Sequence, residues 1–285
     1  MIAKPTKMLL VFFSILTGSV FSQKDSTSQY TAHQKGKVFI SWGGNRSAYT
    51  KSDITFKGND YNFTLQDVKA HDKPKGWHVD YINPKRMTIP QTNFKVGYFL
   101  TDNYYLALGV DHMKYVMTQD QFATIGGFIN VPADQAGAAY NAIYENENIK
   151  LAEEFLMFEH TDGLNYVYFE LGRFDDISKI FGIKNTDIFQ VNITEGFGAG
   201  VLYPKTNTTL MQKERHDDFH ISGFGLSLSA GINLTFLKYF FIQGDLKGGY
   251  INMPKIRTTR STNDSASQDF LFVQSVVSLG GIFKI

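Results

Sequence analysis

Alternation of apolar residues with small or polar ones is the feature that most limits what this sequence can fold into. Residues 219–236 show it most clearly: every second position from Phe224 to Phe236 is apolar, and the positions between carry glycine, serine, asparagine or threonine. An α-helix would spread both sets around its axis, whereas a β-strand puts each set on its own face. An apolar face opposed to a face of small polar residues is typical of a strand between lipid and a crowded barrel interior.

The same period recurs in seven other segments: 37–45, 91–100, 104–117, 164–174, 187–203, 239–251 and 270–285. Together they predict eight strands, an even number, as expected for a membrane barrel made of one chain. Short connections at 101–103 and 237–238 alternate with long ones at 46–90, 118–160, 204–218 and 253–268. This asymmetry predicts short turns at one end of the barrel and long loops at the other.

The predicted fold class is therefore all-β, an antiparallel up-and-down transmembrane β-barrel of about eight strands with long extracellular loops. A soluble β-sandwich or a lipocalin-like barrel is the alternative, and there the apolar face would point inward. The second face is rich in glycine and serine and carries only isolated charges. A soluble exterior would instead carry many lysines and glutamates, which favours the membrane barrel.

The long connections contain further local patterns. Residues 54–56 and 61–65 flank Gly58, which predicts a hairpin in the first loop. Residues 161–163 predict another turn, between 149–160 and 164–174. Residues 133–144 have a helical pattern, and the connection 175–186 predicts a short amphipathic helix around Ile177, Ile180 and Phe181.

Residues 1–22 have the pattern of a secretory signal peptide, with Lys4 and Lys7 before an apolar stretch and an expected mature start at Gln23. The apolar stretch is shorter than the roughly 20 residues that a spanning helix needs. We expect residues 23–285 to form a single barrel domain. The chain has no cysteine and a net charge of +1, which excludes a disulfide framework and argues against nucleic-acid binding.

The chain resembles small outer-membrane barrels of the OmpA, OmpX and OmpW type over nearly all of its mature length. The resemblance rests on the signal peptide, the strand count, the unequal turns and the aromatic Phe283 near the end, although Ile285 replaces the usual final phenylalanine. The tyrosine-, asparagine- and lysine-rich composition is similar to that of Bacteroidota barrels. The resemblance implies a bacterial outer-membrane location and a role in adhesion or in binding lipid or small apolar compounds.

Charged residues at inward positions form the first candidate site. The interior of an eight-stranded barrel is filled by side chains, and an unpaired buried charge is costly. We therefore expect a paired, hydrogen-bonded charge network in place of a pore, with a proton or ion path as the alternative. The network comprises Lys95, Asp111, Glu170, Asp245 and Lys247.

Histidines in the long loops and the outer halves of strands form the second candidate site. His112 and His160 are candidate bases for an outer-membrane acyl hydrolase, and His216, Asp217 and His220 are a candidate metal site. Residues 160–163 resemble the His-x-Ser segment of lipid A deacylases, but Asp162 stands where the serine nucleophile would be. No His-x-x-x-His spacing or nucleophile elbow occurs, so the sequence favours a non-enzymatic protein without a cofactor and leaves an enzyme open.

Cations in the first and last long loops form the third candidate site. The candidate ligands for phosphates of lipopolysaccharide or another outer-membrane lipid are Arg46, Lys73, Lys75, Arg257 and Arg260. The second long loop is acidic and suits calcium or a basic partner. The favoured function is binding of lipid, lipopolysaccharide or a surface partner through the loops. The alternatives are the hydrolase and a structural subunit of a larger envelope complex.

Overall fold

The computed structural model describes residues 33–76, 78–82, 86, 90–216 and 218–285, so the predicted signal peptide lies outside the described residues. Three short 3₁₀ helices can be described, at Val79–Ile82, Ala136–Tyr140 and Ser178–Phe181. Within the described ranges no helix is long and apolar enough to cross a membrane. The strands are β1 (Lys37–Tyr49), β2 (Ser52–Lys57), β3 (Tyr61–Val68), β4 (Ala70–His71), β5 (Thr92–Phe99), β6 (Tyr104–Met117), β7 (Phe122–Ile129), β8 (Ala142–Lys150), β9 (Leu156–Asp176), β10 (Phe189–Leu202), β11 (Asn207–Leu210), β12 (Gly223–Phe236), β13 (Phe240–Arg257) and β14 (Ser265–Lys284).

Eight of these strands close into a barrel. The ring runs from β1 through β5, β6, β9, β10, β12 and β13 to β14, with every pairing antiparallel. β14 then returns to β1, from Lys37 opposite Lys284 to Tyr49 opposite Phe272. Closure leaves the wall without an open edge. The predicted fold class and the number of barrel strands are confirmed.

The two faces of the barrel wall differ as the alternation predicts. Inward-facing side chains are buried and largely polar, for example Ser227, Asn233 and Gln274. The outward-facing side chains form what we call the apolar belt, and a belt of this kind suits contact with lipid chains. Its members include Ile40, Phe94, Leu106, Leu108, Phe169, Leu171, Ile193, Phe197, Leu226, Leu228, Ile232, Ile242, Leu246, Val273, Val277 and Leu279.

An aromatic plug fills the barrel at its short-turn end. Its rings meet edge to face or tilted, with centroids 5.0 Å apart for Phe39 and Tyr105 and 5.4 Å apart for Phe99 and Phe174. Gly172 allows this packing, because any side chain there would collide with the Tyr105 ring. The plug consists of Phe39, Phe99, Tyr105, Ala107, Phe174, Phe241 and Ile282.

The long loops fold into a second structure, which we call the head. β2 pairs with the outer end of β14, and the sheet continues through β3 and β7 to β8. β11 pairs with the extended outer end of β9. These strands enclose a large apolar core, which includes Ile54, Phe56, Phe63, Leu65, Ile125, Phe155, Phe158, Ile256 and Phe270.

The structure corrects two predictions about the loops and bears out two others. Residues 161–163 form no turn, because β9 runs unbroken from Leu156 to Asp176 and Gly163 adopts a positive φ of 141° within it. Residues 133–144 are not an α-helix, since only Ala136–Tyr140 is helical, as a 3₁₀ turn, and β8 begins at Ala142. The hairpin predicted around Gly58 is present as β2 and β3, and the short helix predicted within 175–186 is the 3₁₀ helix Ser178–Phe181.

Candidate functional site

Lys247 is the centre of a buried charge network in the barrel. Its Nζ donates to Asp111 Oδ2 at 2.6 Å and to the Tyr168 hydroxyl oxygen at 2.8 Å. The Tyr168 hydroxyl and Asn93 Nδ2 donate to Asp111 Oδ1 at 3.2 and 2.6 Å. Both carboxylate oxygens are therefore satisfied, as a buried ion pair requires.

A second ion pair lies closer to the aromatic plug. Lys95 Nζ and the Tyr105 hydroxyl donate to Glu170 Oε1 at 2.6 and 2.9 Å. Asp245 accepts hydrogen bonds from Thr194 Oγ1 at 3.2 Å and from Gln243 Nε2 at 2.9 Å. The structure thus places all five predicted interior charges within the barrel, with three carboxylates facing two ammonium groups.

A small cavity separates these groups. Its volume, counted over the positions that the centre of a water molecule can take, is about 30 Å³. On the same measure one water needs about 10–15 Å³. Ser41, Lys95, Asp245 and Lys247 are among its lining residues, and the aromatic plug closes it on one side. The arrangement can hold a few waters and fix charges in place, which suits a filled barrel and not a wide passage.

A cluster of cations, which we call the cationic rim, lies where β1 and β6 enter the head. The exposed Arg46 donates from Nη2 to the Lys75 carbonyl oxygen at 3.4 Å. Lys73 Nζ lies 3.4 Å from Glu159 Oε2, and its side chain stays 59% exposed. The Lys75 ammonium group forms a hydrogen-bonded ion pair with the Asp80 carboxylate, and this interaction holds the pKa of that carboxyl below its usual value. The rim is Arg46, Lys73, Lys75 and Lys114.

Lys114 is the member of the rim that the sequence analysis missed. Partial burial and, next, the charge of Lys73 lower the pKa of its ammonium group, with Lys75 adding a smaller effect of the same sign. These interactions show that the three lysines share one electrostatic environment. The alternation could have revealed Lys114, because it continues the outward series of Leu106, Leu108 and Val110 on β6.

The two cations predicted in the last loop form separate exposed ion pairs. Arg257 Nη1 lies 3.8 Å from Asp218 Oδ2, and Arg260 Nη2 lies 3.2 Å from Glu214 Oε1. Exposed pairs of this kind contribute about 0–1 kcal/mol to stability. Such weak partners leave both guanidinium groups able to exchange a carboxylate for another anion.

His160 lies inside the apolar core of the head. Its side chain is fully buried, with ring centroids 5.0 Å from Phe158 and 5.5 Å from Tyr115. Nδ1 lies 2.8 Å from Thr206 Oγ1, and burial lowers the pKa of the imidazole to about 4. A base covered in this way has no contact with a lipid outside the head. His112 is also buried, with Nδ1 2.7 Å from Asn165 Oδ1.

Two of the three predicted metal ligands, His216 and His220, have other polar partners. His216 Nε2 lies 3.2 Å from Asp218 Oδ2, while His220 Nε2 lies 3.1 Å from the Lys255 carbonyl oxygen. Asp217 lies outside the described residues. No cluster of three or more metal-ligating side chains occurs in the part of the chain that the structure describes.

The closed ring, the apolar belt and the polar interior together decide the class of this protein. It is a small outer-membrane β-barrel. A closed barrel with an apolar exterior is the only sheet structure that spans a membrane, and single-chain barrels with short turns at one end are those of the bacterial outer membrane. The short-turn end is then periplasmic, and the head is extracellular.

Solved structures match this chain in fold but share little sequence with it. No family model and no curated protein sequence matches the chain. Among solved structures, OprG from Pseudomonas aeruginosa is similar with 9% identity and a TM-score of 0.40, covering 89% of this barrel and 99% of its own chain. The protease OmpT from Escherichia coli has 8% identity and a TM-score of 0.38, with 90% and 99% covered. The N-terminal barrel of Pseudomonas aeruginosa OprF has 10% identity and a TM-score of 0.30, with 87% and 98% covered. At these values the likenesses carry no argument about function.

Proposed function

We propose that this barrel is a non-enzymatic binding protein that holds phosphate groups of lipopolysaccharide on its cationic rim. The observation that carries the proposal is the convergence of Arg46, Lys73, Lys75 and Lys114 at the extracellular border of the barrel. Lysine and arginine form strong charge-assisted hydrogen bonds with phosphate oxygens. Partial burial and then the charges of Lys73 and Lys75 lower the pKa of Lys114, while Asp162 and Asp72 act in the opposite direction. A phosphate bound beside Lys114 would stabilise its charged form.

The position of the rim relative to the apolar belt supports a lipid ligand. Arg46 lies on the strand that carries Ile40 and Trp42 on its outward face, four residues beyond the tryptophan. A lipid whose acyl chains cover the belt would bring its phosphates to the level where the belt ends. One molecule could therefore contact both surfaces.

The interior of the barrel and of the head supports binding over transport or hydrolysis. Two buried ion pairs and the aromatic plug fill the lumen, which does not favour a porin. The candidate base His160 is enclosed by apolar side chains, which does not favour an acyl hydrolase. The last-loop cations Arg257 and Arg260 are a second, more exposed contribution to phosphate binding.

The test measures lipopolysaccharide binding to the purified barrel in nanodiscs. We expect the Arg46→Gln/Lys73→Gln variant to bind about tenfold more weakly, the loss of roughly one charge-assisted hydrogen bond. Lys51→Gln/Lys57→Gln removes the same charge from the same loop and should bind as the parent does. Dephosphorylated lipopolysaccharide should bind the parent as weakly as lipopolysaccharide binds the rim variant. Equal lipopolysaccharide binding by both double variants would mean that the cationic rim does not hold the phosphates.

Mass spectrometry of outer-membrane lipids separates binding from catalysis. Cells with and without the protein should have the same acyl-chain population if the barrel only binds lipid. A shifted population would contradict the non-enzymatic proposal and favour the hydrolase. Co-purification with a defined envelope protein, together with unchanged lipopolysaccharide binding in the rim variant, would favour the structural-subunit alternative.

A further inference from the structure

β8 is the last strand of the head sheet, and one of its edges is unpaired. It pairs with β7 from Ala142 opposite Ile129 to Lys150 opposite Phe122, and no other strand of the described chain joins it. In an antiparallel sheet, alternate residues point their backbone N–H and C=O groups away from the neighbouring strand. β8 is nine residues and thus about 30 Å long, so it presents a row of backbone donors and acceptors to solvent.

The side chains of β8 are as exposed as its edge. Seven of its nine residues are exposed, and only Tyr144 and Ile149 are partly covered, where they pack against the apolar core of the head. Ile143 and Phe128 lie directly opposite each other on the two strands and are 79% and 42% exposed. An exposed apolar pair beside an open edge provides an anchor for a further strand, because cross-strand apolar pairs stabilise sheets.

The charge on this edge is negative. Glu145 and Glu147 lie near the middle of β8 and are exposed, while Lys150 near its end is paired with Asp120 at 2.7 Å. Proteins commonly place lysine on open edges to prevent strand addition. Two glutamates block only negatively charged strands and attract positively charged ones.

A second copy of this chain fits the edge poorly. Antiparallel pairing of two β8 strands about Asn146 would place Glu145 of each copy opposite Glu147 of the other, and like charges directly opposite destabilise a sheet. Asn146 itself has a positive φ of 65°, next to a register shift in the β7 pairing.

We propose that β8 binds an extended, positively charged segment of a partner protein, which joins the head sheet as an additional strand. The backbone of β8 supplies the hydrogen bonds, Ile143 and Phe128 contact an apolar side chain of the segment, and Glu145 and Glu147 select for lysine or arginine. This surface is separate from the cationic rim and does not depend on lipid binding.

The experiment uses the full-length barrel in detergent and a synthetic peptide in which lysine alternates with valine. We expect the peptide to bind the parent and to slow amide hydrogen exchange in β8. Glu145→Lys/Glu147→Lys should weaken binding about tenfold. Glu153→Lys/Glu154→Lys makes the same charge change at exposed positions outside any strand and should stay within about twofold of the parent.

A second peptide separates strand addition from simple charge attraction. The same sequence with N-methylated amides at alternate residues keeps its charge but loses the donors that a strand needs, and it should not bind. Equal binding of the two peptides, or binding without slower exchange in β8, would overturn the proposal. Disulfide-linked dimers of an Asn146→Cys variant would also overturn it, because position 146 of each copy would then lie opposite the other and a second copy would be the occupant.

Discussion

The barrel and the head are built partly from the same strands, yet their interiors have opposite chemistry. On β13, Asp245 and Lys247 point into the barrel, whereas Ile251 and Met253, on the same face further along, point into the head. The outward face changes in the opposite sense, from Leu246 to Asn252. β14 repeats the pattern, with Gln274 and Ser278 inside the barrel and Phe270 and Phe272 inside the head or at its base.

This inversion shows that alternation reports the geometry of a strand and not the direction of its core. In the barrel the exterior contacts lipid, so apolar residues face outward and polar residues pair inside. In the head the exterior contacts water, so apolar residues face inward. The backbone continues without a break while the chemistry of its two faces exchanges at the membrane border.

The largest expected effect comes from breaking the polar interior. Asp111→Asn removes the carboxylate that pairs with Lys247, and it should lower the free energy of unfolding by about 3–5 kcal/mol, because it leaves a buried ammonium unpaired. Chemical denaturation in lipid vesicles measures this. The control is Asp111→Leu/Lys247→Met, which should stay within about 1 kcal/mol of the parent if charge pairing is the cause. A double variant as unstable as the single one would instead indicate that packing, or the hydrogen bonds that Asn93 and Tyr168 donate to Asp111, cause the loss.

The second largest effect tests whether lipid surrounds the outer surface of the barrel and water that of the head. Val277 is 64% exposed on the apolar belt, flanked by Gly44 and Gly244. Val277→Arg should cost about 2–4 kcal/mol, as a cation does on the lipid face of a barrel. Ser267→Arg places the same side chain on the outward face of the same strand in the head and should change stability by less than about 0.5 kcal/mol. Similar losses in both variants would mean that lipid does not surround the belt.

The smallest expected effect is the pH dependence of stability that His160 in the head contributes. Burial lowers the pKa of His160 to about 4, whereas an unfolded histidine titrates near 6.5. The unfolded chain therefore binds more protons between these pH values, and stability falls as the pH drops through 6.5 towards 4. The loss attributable to His160 at pH 4 should be about 2–3 kcal/mol.

The His160→Gln variant isolates this contribution, because carboxylates elsewhere titrate equally in both proteins. Its stability should decline less than that of the parent between pH 7.5 and pH 4, as measured by denaturation at each pH. Parallel pH profiles would mean that the imidazole is protonated equally in the folded and unfolded head.

The eight barrel strands were predictable because each has one face in lipid and one in a polar interior. The interior charges were predictable for the same reason, since Lys95 and Glu170 both fall at inward positions. The pairing of these charges was not predictable from the sequence. The partner of Lys247 lies on β6, and the stagger of the strands around the barrel sets that contact.

The head was only partly predictable. β8 has no clear period, because only Tyr144 and Ile149 pack against the core and a register shift separates them. A helical pattern at 133–144 therefore predicts the wrong element. The sequence predicts His160 in a long loop or the outer half of a strand, as a candidate base. Positions 156, 158 and 160 are all inward and buried, so His160 lies beside Leu156 and Phe158 in the head. The continuation of β9 past Gly163 depends on pairing with β6, which no local signal reveals.

The pairing of β2 with β14 sets an order on biogenesis. β2 begins at Ser52, but the strand it rests on starts at Ser265 and is the last of the barrel. β3, β7 and β8 extend from β2, so this sheet cannot join the barrel wall through β14 until the C-terminal strand has been inserted. A folded head is therefore a surface-visible sign that the barrel beneath it has closed.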